Sequence, residues 1–427
     1  MKKTLLFLAT LAFALSVNAQ QSRHDIKANT NLAGSNYVAY PGPRKALTAA
    51  PKGYEPYYIS HYGRHGSRYL IGTDDYDKPY FTLLRADSLG KLTPTGRELL
   101  GKLKLIREEA KDRDGELTWL GAQQHHQIAR RMYERFPEVF AGKTKIEARS
   151  TVVIRCILSM ENALHELIAL NPKLDVRHDA SRHDMYYMND EHSPYSKLRD
   201  TPEAREALKQ FDEKHTDFAQ LMRTIFYDAD YVKTLDVNAL GTHLFTLASN
   251  VQSTELRHQL SLWDIFSEEE IYHAWLRHNA WWYVHFGPSK QTNGAGMYTQ
   301  VNLVKNIIAT ADTCLLLPHP GATLRYAHEV DVMPLVCLMN LNGYGEAIDN
   351  LDDLDHRGWY NYNIFPMGCN VQLVFYKPTG GDLRNADILV KVLLNEDEAT
   401  LPVATDCAPY YHWKDVRAYL TNKISGK

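Results

Sequence analysis

Apolar positions along this chain recur with two different periods, and the switch between them divides it. Tyr57-Tyr58-Ile59-Ser60-His61, bounded by Pro56 and Gly63, predicts a short strand. Residues 94–109 and 118–136 carry helical spacing. Leu99, Leu100, Leu103 and Ile106 mark one apolar face, and Ile128, Met132, Tyr133 and Phe136 the other. Thr93-Pro94 and Thr118 supply the helix starts. The stretches LTPTG at 92–96 and LTWLG at 117–121 echo each other as two such starts, not as a repeat unit. Lys145 to Arg149 alternates as a strand, Val152 to Ile168 reads as a helix, and residues 173–179 read as another short strand. From about 180 to 313 helical patterns dominate, and Trp263, Trp275, Trp281 and Trp282 gather there as an expected core. Strand signals return at 322–327, 371–376 and 388–394, and 413–420 predicts a closing helix. Residues 20–55, rich in Gly, Pro and Asn, read as an irregular lead-in.

Strands interleaved with helices at both ends, and helices alone between them, predict an α/β fold. The expectation is a mostly parallel sheet flanked by helices, with an inserted all-helical cap domain. The boundaries expected are 20–179 and 316–427 for the two parts of the α/β domain, and 180–315 for the insertion.

Composition narrows the class. Of 427 residues, 44% are hydrophobic and 23% charged, a globular profile that excludes a disordered or fibrous chain. Lys and Arg number 48 against 51 Asp and Glu, a net charge of -3, so no chain-wide footprint for nucleic acid exists. Any anion site must be a local cluster. Tyr (26) outnumbers Phe (13), a hint of a polar, stacking-rich surface suited to a sugar-like or cyclitol ligand.

Residues 1–19, MKKTLLFLATLAFALSVNA, place two Lys before an apolar run too short to span a bilayer and end on small residues. They read as a secretory signal peptide cut before Gln20. Loss of Lys2 and Lys3 would take the net charge from -3 to -5. No Cys follows that point, so no lipid anchor is expected, and no later apolar run is long enough to cross a membrane. The expected location is the periplasm or the exterior. Cys156, Cys314, Cys337, Cys369 and Cys407 are scattered without a C-x-x-C pair, which gives no zinc or thioredoxin-like motif and assigns no disulfide. His125 and His126 are adjacent on a helix and point in different directions, so they do not form a metal-ligating face. No metal or cofactor is expected. His183, His192 and His215 lie in polar turns and read as solvated.

Three segments carry chemistry. His61 to Tyr69 contains Arg64-His65-Gly66-Ser67-Arg68 directly after a predicted strand. Ligands of open α/β sheets bind beyond such strand ends. Guanidinium groups grip phosphate oxygens in a fork and disfavour a proton on the neighbouring imidazole. Gly66 would let the backbone approach a ligand. Arg149-Ser150-Thr151, Arg155 and Ser159 lie at a strand end running into a helix, where backbone N–H groups favour anions. These residues alone do not choose between Arg149 and Arg155. Ala327-His328-Glu329 again closes a strand, and offers a phosphate donor beside a carboxyl group. Burial and a nearby phosphate would raise that carboxyl's pKa and keep it protonated for a leaving alkoxide. Read blandly, each His, Arg or Glu is a solvated surface residue.

Taken together, the segments resemble the histidine acid phosphatases, in the branch that includes the multiple inositol polyphosphate phosphatases and phytases. The likeness rests on Arg64-His65-Gly66-Ser67-Arg68 and on Leu117, Thr118, Gly121, Gln124 and His125. It rests also on Arg149-Ser150-Thr151 with Arg155, on His328-Glu329, on Tyr69, on NVQLVFYKP at 370–378 and on the APYYHWKDVRAYL ending. The resemblance implies that His65 attacks phosphorus and becomes phosphohistidine. It implies that Arg64, Arg68, Arg155 and His328 hold the phosphoryl oxygens and that Glu329 protonates the leaving oxygen. Two departures stand out: Leu70 replaces a common Pro, and Glu329 directly follows His328 where relatives carry His-Asp or His-Ala-Glu. The implied substrate is phytate or another inositol polyphosphate, with further cations such as Arg182, Lys197, Arg199 or Arg223 drawn from the insertion. The alternatives are a broad acid phosphatase for sugar phosphates or nucleotides, and a non-catalytic phosphosugar-binding protein.

Overall fold

The computed structural model describes residues 21–380, 383 and 386–427, so the leader expected at 1–19 lies outside the described residues. The strands are β1 (Tyr54–Arg64), β2 (Lys145–Ser150), β3 (Asp175–Asp179), β4 (Gly321–Ala327), β5 (Asn370–Pro378), β6 (Leu389–Leu394), β7 (Asp397–Glu398) and β8 (Tyr410–His412). They form one mixed sheet in the order β3-β2-β4-β1-β5-β6-β7, with β8 also pairing β6. β3, β2, β4 and β1 are mutually parallel, and β5 to β8 pair antiparallel. Because β6 lies two antiparallel steps from β1, it runs with the parallel set. Most strands therefore share one direction.

The pleat sorts side chains to two faces. Tyr58 and Tyr62 of β1, with Val371, Leu373 and Phe375 of β5, enter one core. Ile59, Val374 and Tyr376 enter the other. Helices cover both faces: α3 (Trp119–Arg135) and α4 (Ile154–Leu170) on one, and α8 (Val301–Cys314), α9 (Glu329–Met339) and α10 (Trp413–Ile424) on the other. Burial on both faces explains the near-continuous apolar reading of β4 to β6.

Between β3 and β4 no strand occurs among the described residues. The chain there runs through α5 (Pro202–His215), α6 (Val237–Val251), α7 (Glu268–Phe286) and shorter turns. A third core joins α6 and α7 to α1 (Thr73–Ser88) and α2 (Pro94–Ala110), and to Ile26, Ala33 and Val38. The lead-in is therefore not irregular throughout. Residues 21–28 are helical and Thr30–Tyr37 forms a 3-10 turn, capped where the Asn29 side chain accepts from the Asn31 N–H. Trp275 and Trp282 are buried as expected, whereas Trp281 is 43% exposed. His183 and His192 are exposed. His215 is not solvated: it is 9% exposed, with Nδ1 2.8 Å from His273 Nδ1 and Nε2 3.4 Å from Asp352. All five cysteines are free thiols. No helix among the described residues is long and apolar enough to cross a membrane.

Candidate active site

Parallel register brings the carboxyl ends of three strands together. Arg64 of β1 pairs with Ala327 of β4, and Ser150 of β2 pairs with Tyr326 of β4. The chain leaving β1 is fixed at once: the His65 N–H donates to Ala327 O (2.9 Å), and the Gly368 N–H donates to His65 O (2.9 Å). Arg64, His65, Arg68, His328 and Glu329 are all buried, and Arg155 is partly buried beside them.

His65 Nδ1 lies 2.8 Å from Gly66 O. A carbonyl only accepts, so Nδ1 carries the proton and Nε2 keeps its lone pair. Nε2 has no hydrogen-bond partner and sits 3.6 Å from Glu329 Oε2. Burial pushes the imidazole pKa well below its usual value; Arg64 and Arg155 push the same way, and Glu329 opposes them. The result is a neutral, oriented imidazole within a cationic pocket.

Arg64 Nη1 donates to Asn36 O (2.6 Å) and Phe365 O (3.1 Å), and its Nε lies 2.9 Å from Glu329 Oε2. Arg64 Nη2, Arg68 Nε and Arg155 Nε are buried without hydrogen-bond partners, donors that a phosphoryl group can use. Arg155 stands in the first turn of α4, where the backbone also favours anions. Arg149 is engaged elsewhere. It alternates outward on β2 and pairs with Glu147 (3.3 Å) and Asp184 (3.4 Å).

His328 caps α9, and Asp331 Oδ2 accepts from its N–H (3.3 Å). Its Nε2 lies 3.2 Å from Thr151 Oγ1, and Cys156 Sγ is 3.6 Å from the same nitrogen. Burial, then Arg155, lowers its pKa to about 4. Glu329 departs from the sequence expectation. Burial does push its carboxyl up, but Arg64, His65 and Arg68 outweigh burial and hold it well below the usual range. In the free site it is a carboxylate, and Asn36 Nδ2 donates to its Oε1 (3.2 Å).

The Leu117–His125 signature builds the floor. Thr118 caps α3, accepting from the Gly121 N–H, and its own N–H donates to Ser67 O (2.9 Å). The Gln124 side chain clamps Ser67 twice: Oε1 accepts from the Ser67 N–H (2.8 Å), and Nε2 donates to Ser67 Oγ (3.0 Å). Ser159 Oγ accepts from the Gly66 N–H (3.1 Å). Gly66 serves this floor: a Cβ there would lie 2.4 Å from Gly121 O. His125 is buried, with its pKa lowered to about 3 by burial. His126 pairs with Glu166 at 3.1 Å.

Sequence reasoning missed Asn36 and Tyr37. Both come from the 3-10 turn, and the Arg68 guanidinium lies 5.5 Å from the centre of the Tyr37 ring. No period or motif marks them. Of the cations suggested for further phosphates, Arg199 pairs with Asp190 (2.7 Å) and Arg223 bonds Gln220 (2.9 Å).

His65, His328 and Glu329 could also present three ligand atoms to a metal, within 4.8 Å of one another. Three guanidinium groups around them oppose a divalent cation. At the surface Asp406, Cys407 and His412 form a similar group, but Asp387 (2.9 Å) and Asp406 (3.1 Å) take both His412 nitrogens and favour its protonated form.

A family model described as the histidine phosphatase superfamily (branch 2) matches residues 64–395. No curated protein matches the chain in sequence. Among solved structures, the chain is similar to the Bifidobacterium longum multiple inositol polyphosphate phosphatase in complex with inositol hexasulfate. The TM-score is 0.76 at 19% identity, covering 91% of this chain and 97% of that one. It is also similar to the phytase of D. castellii, with TM-score 0.63, 13% identity and coverage of 93% and 86%. The Hafnia alvei apo phytase gives 0.54 at 12% identity, covering 88% and 98%. At these identities the likeness shows a shared fold.

Proposed function

The chain belongs to branch 2 of the histidine phosphatase superfamily, and from that premise we propose that this phosphatase is a phosphomonoesterase working through phosphohistidine on His65. One observation carries the reading: Nδ1 is tied to Gly66 O, which leaves Nε2 as an unprotonated nucleophile among Arg64, Arg68 and Arg155.

A phosphoryl group engages the free guanidinium donors and His328. His65 Nε2 forms a bond to phosphorus as the ester P–O bond breaks. Glu329 gives its proton to the departing oxygen. Water then attacks phosphorus, Glu329 takes the water's proton, and the N–P bond breaks to release phosphate. Glu329 is ionised before substrate arrives, so its proton must come with binding. An incoming phosphoryl anion neutralises the cations that hold the carboxyl down and raises its pKa. A monoanionic ester also carries a proton of its own near pH 6.

The similarity to phytases and to an inositol polyphosphate phosphatase favours phytate or another inositol polyphosphate as substrate. A second reading, a broader phosphatase for sugar phosphates or nucleotides, draws support from Arg199 and Arg223, which are engaged elsewhere. The leader-like 1–19 sequence supports export to the periplasm or beyond.

The experiment is phosphate release from phytate and simple monoesters, with EDTA present, by the wild type and His65→Ala. Release that survives EDTA and disappears in the variant, with a trapped acid-labile phosphoenzyme, is expected. Wild-type rates in His65→Ala would overturn the mechanism.

A further inference from the structure

Asn36 and Tyr37 face two ways. Toward the strand ends, Asn36 holds Glu329 Oε1 and Tyr37 lies under Arg68. Away from them, both residues line a chamber of about 380 Å³ between α5, α6 and α7. The leaving oxygen must come within reach of Glu329, so whatever it carries starts beside Asn36. None of Arg64, His65, Arg68, Arg155, His328 and Glu329 lines the chamber; it meets the site through Asn36 and Tyr37.

Its walls are aromatic. Phe245, Trp281 and Trp282 line it, and the 43% exposure of Trp281 leaves part of that indole face uncovered. A half-exposed indole beside a polar site offers a surface on which a ligand ring can rest. Charge in the chamber is balanced: Arg277, which lines it, has its Nε 3.0 Å from Asp212 Oδ1, which lines it too. His278, also in the lining, is held to about 4 by burial and adds no cation at neutral pH. A ring bearing further phosphates would meet Arg277 as the one arginine or lysine among the described lining residues, and it is already paired with Asp212. A flat uncharged ring would stack on Trp281, since Phe245 and Trp282 are only 2% and 5% exposed.

We infer that this chamber is the leaving-group subsite and that it takes a flat, uncharged ring system, so that the preferred substrates are singly phosphorylated esters of nucleoside-like alcohols. The inference rests on the phosphohistidine reading and selects the second substrate class given with it. Thr246, on α6, lines the chamber and has room to be replaced by a larger side chain that would fill the space.

The test compares kcat/KM for adenosine 5′-monophosphate, glycerol 2-phosphate and phytate. In the wild type the nucleotide should exceed glycerol 2-phosphate by about tenfold or more, and exceed phytate. Thr246→Trp should lower the nucleotide value about tenfold more than the glycerol phosphate value. Trp281→Ala, which removes a wall without filling the space, should raise KM for the nucleotide more than for glycerol 2-phosphate. Residual glycerol phosphate activity reports that each variant folds. A wild type that prefers phytate, or variants that slow both small substrates equally, would overturn the subsite. A wild type that forms no phosphoenzyme and hydrolyses none of the three would instead sink the catalytic reading beneath it.

Discussion

On the proposed mechanism Glu329 has two tasks with opposite charge requirements, and its neighbours decide when each applies. Arg64 at 2.9 Å keeps it a carboxylate in the free site. A bound phosphoryl anion releases that hold. His65 has a depressed pKa, so it stays neutral across the working range and imposes no limb near pH 6.5. The proton needed by the leaving oxygen therefore comes with binding, on the monoanionic ester or onto the relieved carboxylate, and kcat/KM should fall as pH rises above about 6. Glu329→Gln should lower kcat for alkyl esters by about 10²–10⁴-fold and 4-nitrophenyl phosphate far less, because nitrophenolate leaves without a proton. Equal losses on both esters would mean that Glu329 is not the proton donor. Asn36 acts one step back, as a positioning residue for that carboxylate. Asn36→Leu should show the same leaving-group dependence at smaller amplitude, measured as the ratio of kcat values for the two esters. At this scale the sequence displayed the Arg and His residues, because a dense motif at a strand end is visible in one dimension. It could not separate Arg155 from Arg149, since the Glu147 and Asp184 partners of Arg149 are a matter of β2 alternation and tertiary approach. Asn36 was invisible for a similar reason: it reaches Glu329 across 293 positions of chain.

The site's floor is a contact between two elements at a glycine on each side. Gly121, in the first turn of α3, lies so close to the loop after β1 that a Cβ would stand 2.2 Å from Ser67 O. Ser67 O and N, 2.2 and 2.8 Å from that Cβ, are backbone atoms held by hydrogen bonds to Thr118 and Gln124, so they cannot yield cheaply. Gly121→Ala should therefore cost about 1–3 kcal/mol of stability and displace the loop that carries His65. Urea unfolding alongside phosphate release checks both effects. Gly101, inside α2, meets nothing within 4 Å, and Gly101→Ala should stabilise by about 0.5–1 kcal/mol with activity unchanged. A stabilising Gly121→Ala would refute the close-packing account. Both helices were legible, because Leu99, Leu103 and Ile106 on α2, and Ile128 and Met132 on α3, keep a helical period on one buried face. α9 was not read, because it is buried almost all round from Val332 to Met339 and so has no period to show. α1 was hidden by Pro79, which sits within the helix.

Over the whole molecule the same burial that sharpens the site creates a weakness in acid. His61 and His125 are each 2% exposed, and their rings flank Tyr326 at 5.2 and 5.5 Å. Burial is the first cause of depression in both, and each is lowered to about 3. Both are neutral in the folded chain over the whole range above that value, whereas in the unfolded chain they take up protons below about pH 6.5. The unfolded state therefore binds more protons. The stability they permit is complete above pH 6.5 and declines as pH falls from there toward about 3. With ordinary linkage, each histidine removes about 2 kcal/mol by pH 5, a large share of a marginal total. Urea midpoints between pH 7.5 and 4.5 should thus fall with a slope near two protons from this pair at the acid end, and His125→Gln, which cannot charge, should reduce that slope by about one. Phosphate, by binding only the folded site, should raise the midpoints at every pH without removing the slope. Midpoints that stay flat from pH 7.5 to 4.5 would show that these rings are not the neutral, buried groups that the packing around Tyr326 requires. If the proposed mechanism holds, the protein is in this way held between two limits, with catalysis lost as pH rises and folding lost as it falls.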